Sequence, residues 1–78
     1  MTIKDVKAVH DAEPFQPVNL HLANGDVLTV RHREFLAVSP AGRTVVVFGE
    51  QGAMSIVDVL MITRIEMVNG GRRKREVN

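Results

Sequence analysis

Arg72, Arg73, Lys74 and Arg75 stand in an unbroken run opposed only by Glu76. Four adjacent cations are phosphate chemistry: each one that neutralises a phosphate releases counterion, so binding to RNA or DNA would weaken as salt rises. The plain alternative is a solvated basic tail that aids solubility. With three Phe and no Tyr or Trp in the chain, stacking platforms for bases are scarce, which weighs against a base-reading surface.

His10, His21 and His32 are the side chains most suited to a metal. The alternation around them puts His21 and His32 on opposite faces of a hairpin and His10 on a helix, so no shared metal site is expected. Asp58, Glu66 and Glu34 offer carboxylates for acid–base work, which demands a pair around a pocket with tuned pKa values. Asp58 instead precedes a tight turn, where a carboxylate caps backbone N–H groups. No nucleophile triad, phosphate loop or nucleotide fingerprint occurs. No catalytic residue, no cofactor and no small-molecule substrate is expected.

Two apolar runs remain. Val45, Val46, Val47 and Phe48 are apolar on both faces of a would-be strand, and Val59, Leu60 and Met61 continue the same theme. A small sheet buries alternate residues only, so the others need a cover. Either an N-terminal helix lies over them or another subunit does, and an oligomer interface through these seven residues is the expectation.

The elements that must position these groups follow from periodicity. Thr2 with Asp5 reads as a helix N-cap with an acidic N3, and Ile3, Val6 and Val9 form a stripe, which predicts a helix over residues 3–12. Pro14 and Pro17 stop it. From Val18 the period becomes two. Val18, Leu20 and Leu22 alternate with Asn19, His21 and Ala23, Asn24-Gly25 turns the chain, and Leu28 and Val30 return. A two-residue turn would mix the faces. One accommodated extra residue sets Leu22 opposite Leu28 and Leu20 opposite Val30, and that register is preferred.

No Gly or Pro interrupts residues 31–38, so the second strand is expected to be long and bent at His32-Arg33-Glu34. Strands over 44–48, 53–57 and 63–68 follow, the last two joined by a helical turn at 58–62. The expected fold is mainly β: a short N-terminal helix, then a five-stranded antiparallel SH3-like or Sm-like barrel with a long bent second strand. Residues 1–71 form this single domain, and 72–78 are a basic, disordered tail.

Composition sets the energetic problem. A domain of 78 residues buries only about 60% of the surface its unfolded chain exposes, and without cysteine no disulfide can compensate. Self-association is the common remaining remedy. The net charge of +1 divides unevenly: the four cations against Glu76 give +3, which leaves −2 for residues 1–71. Residues 1–14 carry charges every few positions and no apolar stretch of the signal-peptide or membrane-spanning kind, so a cytoplasmic setting without a membrane partner is expected.

Residues 17–30, PVNLHLANGDVLTV, resemble the first motif of the Sm-like family, in particular its bacterial Hfq-type RNA chaperones. The likeness lies in Pro17, the alternating Val18, Leu20 and Leu22, the Asn24-Gly25 turn and Leu28. Val30 stands where that family usually has glycine, and the Tyr-Lys-His signature of its RNA site is replaced by IVDVLM at residues 56–61. The resemblance therefore implies the barrel fold and ring assembly, without an RNA site. The whole chain also resembles a family of short bacterial proteins that share PFQP (residues 14–17), the Asn-Gly turn, HREF (32–35) and VDVL (57–60), which implies no activity. Two functions stay open: a self-associating protein-interaction module, slightly preferred, and an RNA- or DNA-binding module using Arg72, Arg73, Lys74 and Arg75.

Overall fold

The structure, a computed structural model, describes residues 1–68. Helix α1 (Ile3–Asp11) is followed by β1 (Val18–Leu22), β2 (Val27–Val30), β3 (Leu36–Val38), β4 (Thr44–Phe48), β5 (Met54–Asp58) and β6 (Ile62–Met67). The strands form two antiparallel three-stranded sheets, ordered β2-β1-β6 and β3-β4-β5.

Helix α1 begins on a reciprocal cap. The Asp5 N–H donates to Thr2 Oγ1 at 3.2 Å, and the Thr2 N–H returns to Asp5 Oδ2 at 3.3 Å. These bonds satisfy N–H groups that have no partner inside the helix. The hydroxyl of Thr2 also donates to Asp5 Oδ2 at 2.8 Å, and this bond is the main reason the Asp5 pKa is lowered. Val6 is fully buried, with Ile3 and Val9 packed beside it against the core, a contribution of about 1.5 kcal/mol or more from Val6 alone.

The other end of α1 is held by a residue to which periodicity assigned only a strand bend. Arg33 donates from Nε to the carbonyl of His10 at 2.9 Å and from Nη2 to that of Ala12 at 2.6 Å. It also pairs with Glu13 at 3.0 Å and lies 5.8 Å from the centre of the Phe15 ring. Carbonyls at a helix C-terminus lack intrahelical donors, and a guanidinium supplies two in fixed directions.

The register of the first hairpin differs from the expected one. Val18 pairs with Val30, Asn19 with Thr29, Leu20 with Leu28 and His21 with Val27, rather than Leu20 with Val30. The extra residue sits in the loop itself, where Ala23, Asn24 and Gly25 form a three-residue connection closed by Leu22 N–H to Asp26 O at 2.8 Å. Gly25 takes φ of +96°, a left-handed conformation open to glycine. Asn24 accepts from the Asp26 N–H at 3.0 Å, which stabilises the loop locally. Apolar residues still face apolar residues, which is what set the register.

The second expected strand is divided. Arg33–Phe35 form one 3-10 turn, so its halves, β2 and β3, belong to different sheets. Hence the described residues show six strands in two sheets with no ladder joining them. The inner faces meet in one core: Val18, Leu20, Val30 and Ile62 from the first sheet, and Leu36, Val45, Val47 and Val57 from the second. Val6 and Val59 complete it.

Candidate functional site: the outer face of the second sheet

Burial alternates along β4 and β5, and it separates the expected interface residues into two groups. Val45, Val47 and Val59 are in the core, so they are unavailable to a partner. Val46 is half-buried, while Phe48, Leu60 and Met61 are exposed. One of the two covers weighed for them, α1, lies elsewhere: it packs near β3, where Lys7, His10 and Asp11 meet Val38, Ser39 and Pro40 across a small cleft.

Cross-strand pairing shows what the uncovered surface is. Ala37 stands opposite Val46, which stands opposite Ile56, and Phe48 stands opposite Met54. Since Val45, Val47 and Val57 point inward, these five residues share the outer face. Ile56 is 67% exposed, Met54 57% and Phe48 38%. Together the five present apolar surface on the order of 400 Å², within the range of the largest patch on a typical monomer, which is often functional. Met54 and Ile56 were not among the expected interface residues; the alternation of Met54, Ile56 and Asp58 against Ser55 and Val57 is the signal that assigns them outward.

The two ends of the face carry mixed charge. Asp58 lies opposite Thr44 and pairs with Arg43 at 3.2 Å. Its other oxygen accepts from the Leu60 N–H at 2.9 Å, the capping role expected of it, at the start of the 3-10 turn Val59–Met61. At the opposite end Arg31 approaches Glu50 at 3.8 Å, and both line a shallow cleft with Thr29, Phe35, Phe48 and Gly49. Beyond β5 no further strand pairs among the described residues, so its edge is open.

The first sheet has a mostly polar outer face, with Val27 as an exposed apolar member opposite His21. His21 Nε2 lies 2.8 Å from Glu66 Oε1, Asn19 donates to the same oxygen at 3.5 Å, and Thr29 donates to Asn19 at 2.7 Å. The Glu66 pKa is lowered, first by the His21 hydrogen bond and then by Asn19, with Arg64 adding to it. An ionised carboxylate accepts, so Nε2 of His21 carries the proton toward Glu66. Arg64 Nη2, 3.0 Å from the same nitrogen, is then a charged neighbour of the ring without a hydrogen bond to it. This network stitches three strands.

The remaining candidates are dispersed. His10 bonds to Asp11 at 2.8 Å, which lowers the Asp11 pKa, and His32 packs edge-on against Phe35. No group of three or more metal-ligating side chains occurs among the described residues. Glu66 is in the first sheet, Asp58 in the second and Glu34 in the 3-10 turn between them, so these carboxylates are not paired. Arg72, Arg73, Lys74 and Arg75 lie outside the described residues, as does the expected domain end at residue 71. Among the described residues no helix is long and apolar enough to cross a membrane.

Comparison of the chain with protein-family models, with curated proteins and with solved structures finds no match.

Proposed function

We propose that this protein is a non-enzymatic small β module that works by association, in the first place with itself. The observation that supports this reading is the apolar surface that neither α1 nor any other described element covers: Phe48, Met54, Ile56, Leu60 and Met61. A short chain with no cysteine gains stability by burying such a surface against a neighbour. In this reading the two sheets are the halves of an SH3-like or Sm-like barrel whose second strand bends at Arg33–Phe35, and the module acts in the cytoplasm without a cofactor or small-molecule substrate. Size-exclusion chromatography with light scattering, run with and without nuclease, tests it. A mass above one chain that survives nuclease supports the reading, and a mass of one chain at every concentration overturns it.

A second reading rests on the sequence charge distribution: an Sm-like module that binds RNA or DNA through Arg72, Arg73, Lys74 and Arg75. Several tails on one particle would raise the effective concentration of binding groups. Binding to single-stranded RNA at low salt, lost on truncation after Gly71, supports that reading. Binding unchanged by the truncation overturns it.

A further inference from the structure

We propose that the outer face of the β3-β4-β5 sheet docks the same face of a second copy, giving a reversible two-fold dimer of sheet packed on sheet. This rests on the self-association reading and adds the surface, the symmetry and the strength.

The occupant is argued from charge and from area. Ala37, Val46, Phe48, Met54 and Ile56 carry no charge, so an acidic or basic partner gains nothing at the centre of the face. The two ends each hold one cation and one anion, Arg43 with Asp58 at 3.2 Å and Arg31 with Glu50 at 3.8 Å. A second copy related by a two-fold axis brings an uncharged centre onto an uncharged centre and ends of mixed sign onto ends of mixed sign. Each cation at the ends already has its anion beside it, so such a contact brings no end of single sign against another, as a self-complementary interface requires. A nucleic acid or a highly charged peptide would meet neither condition.

Area bounds the class of interface. A patch on the order of 400 Å² per copy buries about 800 Å² in total, below the ~1,200–2,000 Å² of a stable complex. That size belongs to the weak, transient class of contact, and the proposed dimer is one of these, reversible with dissociation at about micromolar or above. Ile56 and Met54, the most exposed members of the face, sit on its edge strand and have the most surface to lose once a second sheet lies about 10 Å away.

Sedimentation equilibrium on the full chain tests the assignment with four variants: Ile56→Arg and Met54→Lys on the face, Val27→Lys on the other sheet, and Leu60→Arg in the turn beyond β5. All four positions are exposed, and circular dichroism with thermal melting verifies that each variant folds. The wild type is expected to dimerise reversibly, with the dissociation constant raised about tenfold or more by either face substitution and left near the wild-type value by Val27→Lys and Leu60→Arg. If both face variants associate as the wild type does, or if Leu60→Arg alone abolishes association, the face assignment is overturned while self-association stands. A wild type that stays at one chain overturns both.

Discussion

Replacing Arg33 with alanine should loosen α1 and cost about 2 kcal/mol of stability. The guanidinium makes two charge-assisted hydrogen bonds to helix-end carbonyls, at 2.9 Å to His10 and 2.6 Å to Ala12. Such bonds are worth about 1.5–3 kcal/mol each when shielded. The side chain is 36% exposed, and water replaces part of what is lost, so about half of the combined figure remains. The ion pair to Glu13 adds little, because that carboxylate is largely exposed and such pairs contribute at most about 1 kcal/mol. Three variants thus rank in a fixed order. Arg33→Ala loses about 2 kcal/mol, Arg33→Lys about 1 kcal/mol because an ammonium cannot span both carbonyls, and Glu13→Ala under about 0.5 kcal/mol. Urea denaturation at about 1 μM, where association adds little, measures the differences. In thermal melts the first loss appears as a fall of about 10 °C. Amide exchange along residues 6–12 should quicken selectively in Arg33→Ala. A loss below about 0.5 kcal/mol for Arg33→Ala, or Glu13→Ala costing as much, would refute the carbonyl clamp.

Three further outcomes are expected. Gly25→Ala places a Cβ where nothing lies within 4 Å, so its cost is that of a left-handed backbone alone, about 1 kcal/mol in urea denaturation; no loss would mean that the loop is not the three-residue connection described. Leu20→Ala removes a fully buried side chain from the core between the sheets and should cost about 3 kcal/mol, enough to leave much of a marginally stable domain unfolded by circular dichroism. The Glu66 carboxyl has a folded pKa below its ordinary 4.5, so whatever stability wild type has over Glu66→Gln is present above that value. It is lost as pH falls through the lowered folded value. Paired denaturation curves from pH 7 downward should converge on acidification, and a gap that widens would contradict the His21–Glu66 pairing.

Local signals carried much of the fold. The cap of α1 was legible because Thr2 and Asp5 stand at the required spacing, and β4 because its bounds are set by Gly42 and Gly49. The register of the first hairpin was not, since Ala23 continues the alternation of β1 yet is taken into the loop, a choice made by Gly25 and Asn24 together. The interruption at His32-Arg33-Glu34 was visible as a break in apolarity, but the 3-10 turn at Arg33–Phe35 was not, nor were the Arg33 bonds to the carbonyls of His10 and Ala12, which no local pattern announces. At the candidate site the composition of β4 announced an excess of apolar surface. Which of its residues face outward depended on a core that alternation alone could not orient: Val45 and Val47 are inside and Val46 and Phe48 outside. Ile56 and Met54 share the parity of Asp58 in β5, a signal in the sequence, and the β4–β5 ladder sets them beside Val46 and Phe48 on one face.

The central claim, that an uncovered apolar sheet face drives this chain to associate, is tested most directly by the mass of the 78-residue chain in sedimentation equilibrium from about 1 μM to about 500 μM. The account predicts a weight-average mass that climbs from 8.6 kDa toward twice that value as concentration rises and returns on dilution. A mass that holds at one chain across the whole range would contradict it.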